Sequence, residues 1–219
     1  MKNTGVPQTD SRNFEISISK EQLSVLQAQK FEGEIQVIET EEDSIAALKE
    51  LEEAEMVGFD TETKPAFKKG HINHVALLQL ATPSKTYLFR ICKIGLTEGI
   101  KNFLENQNQL KVGLSIKDDF HSLNKLRKVE PKGFIDLQEH VKKYGIADCS
   151  LTKIHAIVFG TRISKSQQLS NWEAQFLTQK QQEYAALDAL ACINIYRSLN
   201  SGDFKPSESP YTHICGKED

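Results

Sequence analysis

Asp60 and Glu62 stand two residues apart, at the end of the short apolar run Met56–Phe59. In extended backbone that spacing turns both carboxylates to one face. Two carboxylates aimed the same way repel each other unless a proton or a cation lies between them, and hard oxygen donors of this kind suit Mg²⁺ or Mn²⁺. Asp118 and Asp119 open a second element, where the helix macrodipole favours acids in the first turn. On a helix, Asp119 shares its face with Leu123 and Leu126, whereas Asp118 shares one with Ser122 and Lys125. Asp119 is therefore the acid aimed toward the protein body. Asp188 interrupts an apolar stripe of Tyr184, Leu187, Ala191 and Ile195, with Tyr184 one turn ahead of it. That spacing lets the Tyr184 hydroxyl and the Asp188 carboxylate project into one space. A lone D-x-E usually decorates a strand end, and a lone buried acid usually pairs with a base. Here three elements each deliver inward-directed acid, and no matching set of buried bases is identifiable. Four carboxylates converging on two divalent cations is the arrangement that phosphodiester cleavage requires.

The elements that must position these residues follow from the hydrophobic pattern. Glu34–Glu39 alternates as an edge strand, and Thr40 caps a helix with the repeat Ile45, Leu48 and Leu51. Met56–Phe59 delivers the chain to Asp60, and a polar loop with Lys64, Lys68 and Lys69 follows. Val75–Leu80 and Tyr87–Ile91 form strands around the Thr82-Pro83-Ser84 turn, an antiparallel hairpin. Beyond it, helix and strand alternate: a helix at Thr97–Glu105, a strand at Leu110–Leu114, a helix near Asp118, and a strand at Phe134–Leu137. Two shorter helical stretches come next, the second from Ser150 to Phe159 and closed by Gly160. A long helix runs from a Thr178/Gln181 capping box to about Leu199, and Ser19 with Gln22 makes a similar box near the start. The pattern predicts an α/β fold, with an antiparallel meander plus parallel strands in one mixed sheet flanked by helices. It also divides the chain into an N-terminal extension, partly flexible, over 1–30, a domain over 31–200 and a C-terminal tail over 201–219.

Composition narrows the class. The 219 residues, 39% hydrophobic and 26% charged, are those of a globular protein able to bury a sizeable core. The longest apolar run is Ala189–Ile193, far short of a membrane span, so no membrane partner is expected. Asp10, Glu15 and Glu21 interrupt the first thirty residues, which excludes a signal peptide. Cys92, Cys149, Cys192 and Cys215 form no C-x-x-C pair, which fits reduced thiols and a cytoplasmic setting. Ten carboxylates against Lys49 lie between Glu32 and Glu55, a solvated helix face that leaves the rest of the chain mildly basic. Such a body tolerates a polyanionic substrate. His71 and His74 lack further ligands in a zinc spacing, and no Walker-type loop or G-x-G-x-x-G occurs, so no nucleotide cofactor is expected.

Three motifs in order carry a family resemblance: VGFDTET (Val57–Thr63) with VALLQL (Val75–Leu80) after it, VGLSIKDDF (Val112–Phe120), and YAALDAL (Tyr184–Leu190) preceded by LSNW (Leu169–Trp172). The sequence resembles the DEDD-type 3′–5′ exonucleases of the ribonuclease H-like superfamily, on the ribonuclease D and Werner-helicase exonuclease branch. The resemblance implies metal ligation by Asp60, Glu62, Asp119 and Asp188, with two Mg²⁺ or Mn²⁺ ions as cofactors. Tyr184 matches the residue that positions the attacking water, and Glu183 stands where the related histidine subclass carries its histidine. The implied partner is a DNA or RNA strand with a free 3′ end, cleaved to nucleoside 5′-monophosphates. Glu62 and the Thr61 backbone are expected near the terminal nucleotide. Lys64, Lys68, Lys69, Arg162, Lys165 and Trp172 are the further candidate substrate contacts, with a place in the core as the other reading of Trp172, and Asp136 has a family counterpart as a supporting residue. About twenty residues follow the last helix, where ribonuclease D relatives carry helical domains, so a stand-alone exonuclease is expected. The alternative is a catalytically idle binding or interaction module of the same fold.

Overall fold

The structure is a computed structural model that describes residues 14–65 and 73–214. Lys68, Lys69 and His71 lie outside the described residues, as do residues 1–13 of the N-terminal extension. The strands are β1 (Phe14–Ile16), β2 (Glu34–Ile38), β3 (Met56–Thr63), β4 (Val75–Ala81), β5 (Lys85–Phe89), β6 (Leu110–Gly113), β7 (Phe134–Asp136) and β8 (Thr212–Ile214). The helices are α1 (Lys20–Ser24), α2 (Glu41–Glu52), α3 (Ile91–Ile94), α4 (Glu98–Glu105), α5 (Ile116–Leu123), α6 (Leu137–His140), α7 (Leu151–Phe159) and α8 (Gln179–Ser201). Six strands form one sheet in the order β2-β5-β4-β3-β6-β7. β3, β4 and β5 are the antiparallel meander, while β2 joins β5, β6 joins β3 and β7 joins β6, all in parallel. This is the mixed α/β sheet that the sequence pattern predicts.

β3 is longer than its apolar run. It continues through Asp60 and Glu62 to Thr63, so both acids lie inside the strand, paired with Gln79 and Leu77 of β4. Pairing with β4 explains the extension: β4 holds Gly58 through Thr63 in register, beyond the point where the pairing with β6 ends at Gly58. Its odd residues Val57 and Phe59 face a core with α2, α4 and α5. The opposite face carries Gly58, Asp60 and Glu62 and receives α8. Gly58 makes that approach possible, since a Cβ there would stand 2.0 Å from the Ala189 carbonyl oxygen. Both capping boxes read from the sequence are present, at Ser19 with Gln22 and at Thr178 with Gln181.

Two details depart from the pattern. Helix α2 buries Ser44, Ala47, Leu48 and Leu51, while Ile45 is 63% exposed. Its inward stripe follows the spacing of three and four residues, which Ile45 leaves. At the chain ends, β1 pairs antiparallel with β8, and Ile16 and Ile18 are buried with Phe204 in the core beside α7 and α8. A pairing between the two ends of the chain is not encoded in local periodicity.

Candidate active site

Three elements bring the acids together. β3 presents Asp60 and Glu62 on the α8 face, and the α8 stripe returns Asp188 to meet them. One oxygen from each of Asp60, Glu62 and Asp188 falls within 4.8 Å of the others. Glu62 and Asp188 are buried, and all three line a cavity of about 380 Å³ with Thr61, Ser115, Thr152, Lys165 and Tyr184. Asp119 stands at the edge of this group. It is half-buried at the start of α5, where the Thr61 hydroxyl donates to its carboxylate at 2.5 Å, while Asp118 is exposed. The two aspartates part as their helical faces predict, and Asp119 joins the cluster through the Thr61 side chain rather than within the tight trio.

The electrostatics are those of a site waiting for positive charge. Burial, with the Asp60, Asp188 and Asp119 charges around it, pushes Glu62 up to about 10. Asp119 rises to about 8, mainly by burial and then by Asp60, while the Thr61 hydroxyl pulls the other way. Burial lifts Asp188 to about 7 against the opposing pull of the Tyr184 hydroxyl and Lys165. Asp60 is raised well above the carboxylate range by burial and by Asp188. Four acids that resist ionising together fit divalent cations, which neutralise all of them at once. Burial and the neighbouring acids also raise the Tyr184 phenol, so it stays protonated and serves as a hydrogen-bond donor.

Comparison with known proteins decides the family. A family model described as 3′–5′ exonuclease matches residues 35–202. The chain belongs to this 3′–5′ exonuclease family. Among curated relatives it is 36% identical over 160 residues to the mouse bifunctional 3′–5′ exonuclease/ATP-dependent helicase WRN, covering 70% of this chain and 11% of that protein. It is 30% identical over 153 residues to a 3′–5′ exonuclease of Arabidopsis thaliana, covering 65% and 52%. The chain thus spans about half or less of the length of these relatives. Among solved structures, the Aedes aegypti Nibbler EXO domain superposes with a TM-score of 0.71 at 24% identity, covering 83% of this chain and 97% of that one. Escherichia coli RNase D superposes at 0.69 with 21% identity, covering 76% and 44%. At those identities the structures establish the shared exonuclease fold.

Within that fold the other expected residues divide sharply. Lys165 lines the acid cavity and lies close enough to act on Asp188. The Lys64 ammonium is held by Glu173 at 3.0 Å, which ties the end of β3 to the segment before α8. Arg162 donates through Nε to the Leu26 carbonyl at 3.1 Å, and its own carbonyl accepts from the Gln29 amide at 2.9 Å. It anchors residues 26–29 and does not line the acid cavity. Trp172 corrects its expected role as a substrate contact. It is fully buried with its ring 6.0 Å from that of Tyr184, so it packs behind the tyrosine and offers no surface to a nucleobase. Ser115 was not singled out by the sequence. It takes a left-handed backbone (φ 59°) at the turn from β6 into α5, and the Asp136 carboxylate accepts from the amides of Ser115 at 3.2 Å, Ile116 at 3.0 Å and Gln138 at 2.9 Å. Asp136 thereby fixes the turn that launches α5 and its Asp119.

Proposed function

We propose that this protein hydrolyses the 3′-terminal phosphodiester of a DNA or RNA strand and releases nucleoside 5′-monophosphates, with two Mg²⁺ or Mn²⁺ ions as cofactors. The observation that carries the proposal is the convergence of Asp60, Glu62 and Asp188 on one cavity beside Tyr184 and Lys165. Asp60, Glu62 and Asp188 would hold the cations, with Asp119 completing the set next to Asp60. Bound there, two divalent cations supply charge for the attacking water and for the leaving oxygen. The protein's own residues do the rest. The protonated Tyr184 phenol orients the water, held from behind by Trp172. The Thr61 hydroxyl fixes the Asp119 carboxylate. Lys165, which lines the same cavity, meets the phosphate with a positive charge.

The test pairs the wild-type chain with Asp60→Ala/Glu62→Ala on 5′-labelled single-stranded DNA, 3′-recessed DNA and RNA. Each is run with Mg²⁺, with Mn²⁺ and with excess chelator. The expected result is a ladder that shortens from the 3′ end, needs metal and falls by on the order of a thousand-fold in the variant. Folded wild-type protein that binds these strands with metal present and leaves them intact overturns catalysis in favour of a binding module.

A further inference from the structure

Gln79 lies in the middle of β4, fully buried, and neither its carboxamide oxygen nor its nitrogen has a hydrogen-bond partner among the described residues. Buried polar side chains are nearly always paired, so an exception in a central strand needs a physical reason. The strand register provides one. Gln79 stands directly opposite Asp60 of β3 on one side and Leu88 of β5 on the other. Directly opposed residues of an antiparallel pair point to the same face, with Cβ atoms about 4.5–5.5 Å apart. Gln79 therefore shares the α8 face with Asp60, and a glutamine side chain spans that separation. The remaining neighbours in its row are apolar: Leu77 and Ala81 along β4, and Leu88 across. An isosteric apolar residue would fill the same space with no polar atom to satisfy.

We propose that Gln79 is a positioning residue for Asp60. Its Nε2–H donates to the Asp60 carboxylate once a divalent cation holds that carboxylate ionised, which fixes the oxygen turned toward the cation. Hydrogen bonds from behind a ligand orient it and set metal affinity, which gives a carboxamide a function here that a hydrocarbon lacks. The inference rests on the metal-holding role proposed above for Asp60.

Gln79→Met in the full chain tests it, through thermal melting without metal and Mn²⁺ titration by calorimetry. The expected variant melts at or above the wild-type temperature, because two unpaired buried atoms are gone, yet binds Mn²⁺ on the order of ten-fold more weakly. Mn²⁺ affinity equal to that of the wild type overturns the role of Gln79 and leaves the metal reading intact. Wild-type protein that binds no Mn²⁺ removes both. Should Gln79→Met melt below the wild type, the ¹⁵N-labelled wild type decides. The side-chain amide resonances of Gln79 are expected to shift with Mg²⁺ in step with saturation, and resonances unmoved by saturating Mg²⁺ overturn the proposal.

Discussion

Two of the places where the sheet buries charge are treated in opposite ways. Lys111 of β6, level with Val57 of β3, is fully buried, and its ammonium donates to the carbonyls of Phe103 at 3.2 Å, Asn106 at 2.7 Å and Gln109 at 2.9 Å. The rings of Phe103 and Phe134 flank it at 5.4 and 5.1 Å. Every hydrogen of that ammonium has an acceptor within the protein, so the charge is part of the architecture and joins the end of α4 to β6. Farther along β3, Asp60, Glu62 and Asp188 face one another with Asp119 at their edge, and Lys165 is the cation that acts on Asp188. Buried charge with a complete set of partners holds a fold together. Buried like charges left without partners mark the place where something from outside must bind.

Removing the satisfied charge gives the largest expected change in stability. Lys111→Met keeps most of the volume but leaves three carbonyls facing a methyl group. Breaking a buried, fully bonded charge site of this kind costs about 3 kcal/mol. Chemical denaturation of the variant should show that loss, while calorimetric Mn²⁺ affinity stays at the wild-type value. A neutral Lys111→Met would mean that the carbonyls find other partners, and the contrast between the two sites would fail at its structural end.

The acid cluster should reveal itself through pH. Glu62 at about 10, Asp119 at about 8 and Asp188 at about 7 all keep their protons in the native state well above the pH at which an unfolded chain releases them. The native state thus binds more protons than the unfolded one from about pH 4 upward, so stability falls as pH rises. Metal-free protein is expected to lose stability steadily between pH 6 and pH 9, a slope that Asp188→Asn makes shallower. Saturating Mg²⁺ should level or reverse the slope, because cations bind the ionised acids of the native state alone. Denaturation at several pH values, with and without Mg²⁺, measures this directly. A flat metal-free profile would show that burial and mutual repulsion do not hold the four acids protonated.

Much of this contrast was legible in the sequence, on one side only. Asp60, Glu62, Asp119 and Asp188 could be read because strand and helix periodicities fix which face a residue takes, and because the motifs fall in family order. The same periodicity placed the meander, the alternating helices and the long α8. Lys111 was invisible: a lysine opening a strand looks like a surface residue, and its carbonyl acceptors come from a helix end and a loop whose approach no spacing encodes. Trp172 sits between two solvent-exposed neighbours, Asn171 and Glu173, so local pattern left a core position and a nucleobase contact both open, and the packing of Leu77, Leu88 and Ala185 around it decides for the core. The pairing of β1 with β8 joins the two ends of the chain, a contact that local pattern cannot specify.

Asp136 offers the finest test of the distinction, because it is an acid beside the site that behaves like Lys111. Its carboxylate already accepts three amide hydrogens, from Ser115, Ile116 and Gln138. It should therefore act on the acid cluster chiefly through position, by holding Ser115 in its left-handed turn and so aiming α5, while its charge is only the smallest of the influences that raise Asp119. Asp136→Ala is expected to cost about 1 kcal/mol, the usual loss when a side chain that caps backbone amides is removed. The pH slope of the metal-free protein should remain that of the wild type, since no member of the repelling cluster has gone. Turnover should fall by less than in any variant of the four acids, because Asp119 keeps its carboxylate and loses only the precision of its placement. If Asp136→Ala instead flattens the pH slope as Asp188→Asn is expected to, then Asp136 belongs with the unsatisfied charges, and complete hydrogen bonding does not separate architecture from function here.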